Sequence, residues 1–226
     1  MFDKRLRSQV EKRLRPVGTN IRRTGITADH LTALGVVMAA AAAVAIGNGA
    51  LRGGLLLLIL TAVPDVLDGA VAKASGTASP RGAFFDSVSD RVTDALLFGG
   101  VAWFLATTQP GRLAVLPLAV VAMSMLISYE RARAEALGFD GRGGVMERAE
   151  RLFALGFALV FDSLMVATLW VMLVLTGLTA VQRFVSVWKQ ASGVQRREPA
   201  QWRARRLARR GEWASARRRT TRRRQH

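Results

Sequence analysis

Apolar residues along the chain fall into six long runs separated by short polar or glycine-containing breaks. The runs cover residues 31–46, 51–74, 81–106, 113–137, 145–161 and 163–188. Each is near the roughly 20 residues that a helix needs to cross a bilayer. Thr27 or Asp29 can cap the first helix, which ends at the glycine-flanked turn 47–49. The pattern predicts an all-α membrane protein with six transmembrane helices.

The first 23 residues follow a different pattern. Apolar residues at positions 2, 6, 10 and 14 stand among basic neighbours. This four-residue spacing gives a short amphipathic helix that lies on a membrane surface. Charge continues to Arg23 with no cleavage site after an apolar core, so we do not expect a signal peptide. The predicted organisation is an interfacial segment over residues 1–23, a six-helix domain over residues 24–190 and a tail over residues 191–226.

The charge of the loops predicts how the helices are oriented. An even number of spans puts both termini on one side of the membrane. The loops on that side carry six basic residues: Lys73, Arg81, Arg131, Arg133, Arg142 and Arg148. The loops on the other side contain only Arg52, Arg112 and Asp162 as charged residues. By the positive-inside rule, the sequence predicts a multi-pass protein of the cell (plasma) membrane with both termini in the cytoplasm.

The tail dominates the net charge. The whole chain carries a formal charge of +17, and residues 196–226 hold thirteen Arg against Glu198 and Glu212. Such a block is typical of a disordered or partly helical segment. Attraction to anionic lipid is its functional alternative, and nucleic-acid binding is not expected because no recognition motif accompanies the charge.

Composition limits the chemistry that the chain can perform. The sequence has no Cys, and its two histidines are His30 and the last residue, His226. Thiol nucleophiles, Cys-based zinc sites and disulfides are therefore excluded, and His-based catalysis is poorly supplied. Any catalysis must depend on carboxylates and bound ions.

Five carboxylates lie inside the second and third apolar runs. They are Asp65, Asp68, Asp86, Asp90 and Asp94, spaced by three or four residues within each run. One Asp at the centre of a membrane helix costs roughly 2.5–3.5 kcal/mol, so five require an explanation. The spacing puts each set on one face of its helix, and two such faces together would suit Mg²⁺ and a phosphate-bearing substrate. The alternatives are helix pairing through Arg91 or Lys73, and an intramembrane ion or proton pathway.

The residues around these carboxylates resemble a family signature. Asp65-Val-Leu-Asp68-Gly69-Ala-Val-Ala72-Lys73 is followed, after eight residues, by Gly82-Ala-Phe-Phe-Asp86-Ser-Val-Ser-Asp90. This is similar to the D-x-x-D-G-x-x-A-R and G-x-x-x-D-x-x-x-D pattern of the CDP-alcohol phosphatidyltransferases. Lys73 stands where that family has Arg, which keeps the charge but loses the planar fork.

The resemblance implies roles for the motif residues. It implies that Mg²⁺, or Mn²⁺ in its place, is bound by four carboxylates: Asp65, Asp68, Asp86 and Asp90. Asp90 would also be the catalytic base that takes the proton of the acceptor hydroxyl. The CDP-alcohol would be bound by Asp68, Gly69, Lys73 and Gly82, with the two glycines letting the nucleotide approach the helix backbone. Homodimerisation is a further expectation from the family.

Two polar segments in the second half bear on the acceptor alcohol. Residues 128–135 and 147–152 resemble segments of one group in the family, the actinobacterial phosphatidylinositol phosphate synthases. That resemblance implies an acceptor-phosphate site formed by Ser128, Arg131, Arg151 and Arg183, with Arg131 in place of the family's Lys. Without the resemblance, two interpretations of the first segment are equally supported: a phosphate-binding group, or flanking charges of the positive-inside rule that are balanced by glutamates.

The resulting hypothesis is a membrane enzyme that transfers a phosphatidyl group from CDP-diacylglycerol to inositol 1-phosphate and releases CMP. One alternative is the same reaction with glycerol 3-phosphate, which gives phosphatidylglycerophosphate. Another, from a different class, is the non-enzymatic ion pathway through the intramembrane carboxylates. The expected partners are CDP-diacylglycerol, a phosphorylated alcohol and membrane lipids.

Overall fold

Helices make up nearly all of the structure, a computed structural model that describes residues 27–61 and 79–222, with side chains as far as residue 193. The helices in these residues are α1 (Ala28–Gly47), α2 (Leu51–Thr61), α3 (Pro80–Thr108), α4 (Val115–Ala136), α5 (Arg148–Val160) and α6 (Met165–Arg222). A 3₁₀ turn, Asp162–Leu164, joins α5 to α6. The described residues contain no strand, so the predicted all-α class is confirmed. The predicted interfacial segment 1–23 lies outside the described residues.

The first helix begins and ends where its local sequence dictates. Thr27, one of the two predicted caps, accepts a hydrogen bond from the backbone N–H of His30 at 3.3 Å. His30 Nδ1 accepts one in return from the Thr27 N–H at 3.3 Å, which completes a reciprocal cap. At the other end Asn48 donates through Nδ2 to the Val44 carbonyl, and Gly49 takes a φ of 81° that favours glycine.

Three helical segments in the described residues are long and apolar enough to cross a membrane: Ala28–Gly47, Val115–Ala136 and Asp162–Gly193. Helix α3 has 29 residues and is long enough to cross, but its first half contains five acidic or basic side chains. Helix α5 has 13 residues, which is short of a full crossing. Length and composition therefore support the membrane class and identify three of the six predicted spans.

Helices α1 and α3 run in the same direction in close contact. Near their starts, Arg81 Nη2 lies 3.0 Å from the Asp29 carboxylate. Further along, a side chain on Gly100 would collide with the backbone of Ala43. Lipid tails are as apolar as the helices, so such close backbone packing, rather than the hydrophobic effect, holds membrane helices together.

Helices α4 and α6 also run in the same direction and are joined by polar contacts. Arg183 of α6 donates to the Ile127 carbonyl of α4 at 2.8 Å. The loop before α5 is fixed to α6 because Thr179 Oγ1 accepts from the N–H of Met146 at 2.9 Å. Gln190 and Asp140 exchange two hydrogen bonds, of 3.0 and 2.9 Å, between side-chain amide and backbone. These contacts hold the C-terminal part of α4 and the loop before α5 against α6 at one end of the bundle.

Helix α6 continues far beyond its apolar part. Its 58 residues extend to Arg222 and include most of the basic tail. The sequence leaves open a disordered or a partly helical tail, and the backbone is helical as far as Arg222. The abundance of Arg and Ala in this segment favours the helix, because both are strong helix formers.

Candidate active site

One face of α3 carries the three described carboxylates of the predicted cluster. Asp86, Asp90 and Asp94 follow each other at four-residue intervals, so they lie one above the other along the helix. The Asp86 and Asp90 side chains are half-buried, and Asp94 is buried. The face therefore leads from an accessible carboxylate at the start of α3 to an enclosed one in the middle.

Gly82 lies one turn before Asp86 and leaves open space beside the helix. Ser79 caps α3 by accepting from the Gly82 N–H at 3.1 Å, and Pro80 follows at the first helical position. A Cβ built on Gly82 would meet no atom closer than Ser79 Oγ, at 3.4 Å. No packing contact within the described residues therefore requires glycine here, which fits a surface approached by a ligand.

Asp90 pairs with a residue of another helix. Arg148, in the first turn of α5, places Nη1 2.9 Å from the Asp90 carboxylate. The neighbouring Arg91 is 3.7 Å from the same carboxylate. Because Arg91 belongs to α3 itself, its contact with Asp90 does not represent the predicted alternative of helix pairing, and it is Arg148 of α5 that links Asp90 to another helix.

Asp94 is enclosed by α4 and α5. Its Oδ2 accepts from Arg151 Nη2 at 2.9 Å and from Ser124 Oγ at 3.1 Å. Arg148 Nε lies 3.6 Å from Oδ1. The side chains of both Asp94 and Arg151 are 5% exposed, so this is a buried ion pair with an additional hydroxyl donor.

Arg183 is the second buried guanidinium of the predicted acceptor site. Besides Ile127 it donates to the Gly143 carbonyl at 2.8 Å, and it lies 3.6 Å from the Glu147 carboxylate. It is close enough to Arg131 and Arg151 to interact with both electrostatically. Three of the four predicted acceptor residues, from three different helices, therefore converge.

The four predicted acceptor residues differ in exposure. Arg151 and Arg183 are buried, and Ser128 is half-buried. Arg131 is exposed and pairs with Glu135 at 3.1 Å, one turn along α4. The site thus has two buried guanidinium groups and one that is exposed to solvent.

Four of the seven predicted donor-side residues lie outside the described residues, namely Asp65, Asp68, Gly69 and Lys73. Within residues 27–61 and 79–193, no three His, Asp or Glu side chains lie close enough together to hold a metal ion. Asp86 and Asp90 form the described part of the predicted ligand set. Their carboxylate oxygens are hard ligands of the kind that Mg²⁺ and Mn²⁺ prefer, so the residues fit such an ion.

Two residues of this site, Arg148 and Ser124, are not among the site residues predicted from the sequence. Arg148 could be seen to share a helix face with Arg151, but nothing in the sequence indicates that it reaches Asp90, 58 positions away. Ser124 lies four residues before Ser128 on α4 and so shares its helix face. This shared face is the one sequence signal that could have identified Ser124.

The fold, the carboxylate face and the converging arginines define a class of enzyme. The chain belongs to the CDP-alcohol phosphatidyltransferase family, whose profile matches residues 25–188. The family predicted from the motif is thereby confirmed, and with it the phosphotransferase reaction class.

Within this family the chain is similar to enzymes of inositol phospholipid synthesis. A phosphatidylinositol phosphate synthase of Mycobacterium marinum is 35% identical over 183 residues, which are 76% of this chain and 78% of the relative. An archaetidylinositol phosphate synthase of Methanothermobacter thermautotrophicus is 34% identical over 174 residues, or 74% and 86% of the two chains.

Solved structures of a mycobacterial relative share the fold. The crystal structure of Mycobacterium tuberculosis phosphatidylinositol phosphate synthase with CDP-DAG bound superposes with a TM-score of 0.73 at 34% identity, covering 77% of this chain and 93% of that one. The same enzyme in complex with manganese and citrate gives a TM-score of 0.72 at 32% identity, covering 77% and 88%.

Proposed function

We propose that this protein is a phosphatidylinositol phosphate synthase that transfers the phosphatidyl group of CDP-diacylglycerol to inositol 1-phosphate and releases CMP. Its relatives from Mycobacterium and Methanothermobacter carry names that specify inositol phosphate products. Each match covers about three quarters of the chain, and the family profile covers residues 25–188, the range in which the carboxylate face and the arginine cluster lie.

One observation carries this proposal: the basic groups of α5 are in direct ion-pair contact with the carboxylate face of α3. Arg148 is 2.9 Å from Asp90, and Arg151 is 2.9 Å from Asp94. A phosphate bound by the arginines would therefore bring its alcohol next to the motif that binds the CDP-alcohol. Such adjacency is what transfer between two bound substrates requires.

The reaction follows from the types of residue present. Asp90 would take the proton of the acceptor hydroxyl, whose oxygen forms a bond to the phosphorus that carries the diacylglycerol. The phosphoanhydride bond of the donor breaks, and CMP leaves with the electron pair. Divalent ions, Mg²⁺ with Mn²⁺ as the alternative, would supply positive charge to the phosphoryl oxygens and the departing CMP when held by Asp65, Asp68, Asp86 and Asp90.

Binding of the two substrates would use separate residues. Asp68, Gly69, Lys73 and Gly82 would bind the CDP-alcohol, with Gly82 offering the open helix surface described above. The acceptor phosphate would be bound by Ser128, Arg131, Arg151 and Arg183. A guanidinium group can donate two parallel hydrogen bonds to two oxygens of one phosphate. Lys73 and Arg131 each exchange one basic residue for another relative to the family, so the charge required at both positions is kept.

The proposed setting is the cell membrane, crossed six times, with both termini and the polar site on the cytoplasmic side. The polar end of the bundle holds both the start of α1 and the later part of α6, as an even number of crossings requires. Lipid chains would enter from the bilayer, and the soluble acceptor from the cytoplasm. A homodimer is the assembly expected from the family.

Acceptor-dependent release of CMP tests the proposal. Purified protein is incubated with CDP-diacylglycerol, Mg²⁺ and either inositol 1-phosphate or glycerol 3-phosphate. We expect CMP release with inositol 1-phosphate and the same rate in an Asp162→Asn control, because Asp162 is an exposed acid at the opposite end of the bundle. Release with glycerol 3-phosphate alone would refute the proposed acceptor. Ion flux through vesicles without CMP formation would favour the ion pathway.

A further inference from the structure

We infer that Asp94 is a positioning residue for the acceptor site: it orients the Arg151 guanidinium toward the phosphate of the incoming alcohol. Asp94 lies one turn beyond the family motif, so the motif assigns it no role. The inference rests on the proposed function, because it supposes that Arg151 contacts that phosphate.

One oxygen of Asp94 is held by donors of two other helices, while its other oxygen, Oδ1, is buried without a hydrogen-bond partner among the described residues. Ser124 of α4 and Arg151 of α5 both donate to the same oxygen, Oδ2, at 3.1 and 2.9 Å. Its side chain is 5% exposed, whereas that of Asp90 is 22% exposed. Asp94 therefore links α3 to α4 and α5 at a point that is only slightly exposed.

Arg151 keeps hydrogen-bonding capacity after it has paired with Asp94. A guanidinium group has five N–H donors. Nη2 is used by Asp94, and Nη1 makes one long contact of 3.5 Å with the Met146 carbonyl. Nε is buried and has no hydrogen-bond partner among the described residues. An unpaired buried donor is unfavourable, and an anionic ligand would satisfy it.

The ion pair also restricts the direction in which those donors point. The side chain of an isolated Arg samples many rotamers, and ordering it at the moment of binding reduces affinity. The carboxylate of Asp94 fixes one edge of the planar group in advance. Removing that carboxylate should therefore weaken acceptor binding while leaving the donor motif at the start of α3 in place.

The test measures steady-state kinetics of Asp94→Asn in the full-length enzyme, with KM determined separately for each substrate. We expect KM for the phosphorylated alcohol to rise about tenfold or more, since charge-assisted hydrogen bonds are worth about 1.5–3 kcal/mol and about 1.4 kcal/mol is tenfold. KM for CDP-diacylglycerol should change by less than about twofold. A loss confined to kcat, or an equal rise in both KM values, would overturn the inference.

A double variant separates positioning from general support of the fold. In an Arg151→Lys background, adding Asp94→Asn should not raise KM for the acceptor further, because the group that Asp94 positions is already gone. A full additional tenfold rise would overturn the inference. If Asp94→Asn does not fold, Ser124→Ala carries the test, with an expected rise of about fivefold in the same KM and no change for the donor.

The wild-type enzyme distinguishes failure of this inference from failure of the proposed function. If it uses glycerol 3-phosphate in place of inositol 1-phosphate, the proposed acceptor is wrong, and the same variants are measured with glycerol 3-phosphate. If it turns over neither alcohol, both proposals are overturned. Asp162→Asn serves as the matched control and should leave both KM values unchanged.

Discussion

Arg148 of α5 lies 2.9 Å from the carboxylate of Asp90 on α3, so the helix that carries part of the acceptor site touches the carboxylate assigned the role of base. The same side chain lies 3.6 Å from Asp94. Arg148 thus spans two successive turns of α3. These ion pairs, together with packing, therefore determine where α5 lies relative to the carboxylates of α3.

Replacing Asp90 with Asn should abolish most of the activity. Asn keeps the size of the side chain but can neither take a proton nor provide a charged metal ligand. Loss of a general base alone lowers a rate by about 10²–10⁴-fold. Release of CMP from CDP-diacylglycerol measures the effect, and Asp162→Asn is the control. An Asp90→Asn enzyme with more than about a tenth of the wild-type rate would contradict the assigned role.

Two glycines of α3 should respond in opposite ways to replacement by Ala. At Gly82 the new methyl group meets no close protein atom, so thermal stability should be unchanged while KM for CDP-diacylglycerol rises about tenfold or more. At Gly100 the methyl group collides with the Ala43 backbone, and overpacking of this kind costs about 1–3 kcal/mol. Thermal unfolding in detergent and CMP release distinguish the two. A Gly82→Ala protein that is destabilised but binds its donor normally would refute the ligand role.

Arg131 and Arg183 should differ in what they contribute. Arg183→Lys replaces a guanidinium that donates to the Ile127 and Gly143 carbonyls by an ammonium without the planar fork, so it should lower stability by about 1–3 kcal/mol. Arg131→Ala removes an exposed ion pair with Glu135, which is worth about 1 kcal/mol or less, and should mainly raise KM for the acceptor. Denaturation curves and acceptor titrations measure both effects. Equal stability of Arg183→Lys and the wild type would show that its carbonyl contacts are dispensable.

Removing divalent ions should stop the reaction without unfolding the protein. Chelation with EDTA is expected to reduce CMP release to background, and addition of Mg²⁺ or Mn²⁺ to restore it, because the carboxylates of the motif would otherwise face the phosphates without a bridging charge. Circular dichroism before and after chelation monitors the helices. Unaltered turnover in EDTA would remove the metal from the mechanism.

Helix positions were largely predictable from the sequence because they depend on local signals. Apolar runs, the Thr27 cap and the turn at residues 47–49 are signals that act over a few residues. The helices α1, α3, α4 and α5 begin and end near the predicted limits. The extent of α6 was less predictable. The apolar run ends near residue 188, but the residues that follow are rich in Arg and Ala, which favour a helix.

The site was predictable in composition and not in its pairing. Motif spacing named Asp86, Asp90 and Gly82 as candidates, and resemblance named the arginines. The contacts of Arg148 with Asp90 and of Ser124 with Asp94 join residues 58 and 30 positions apart. Such contacts depend on how helices pack, and no periodicity within one helix specifies them.

The close approach of Gly100 to Ala43 has an evolutionary consequence. It fixes α1 and α3 by backbone shape, whereas α4, α5 and α6 are joined through exchangeable side chains. Descendants of such an enzyme could adopt a new alcohol by altering the second group of helices, while the nucleotide-activated substrate remained the same. The packing of α1 against α3 would thus be kept during evolution while the preference for the acceptor alcohol changed.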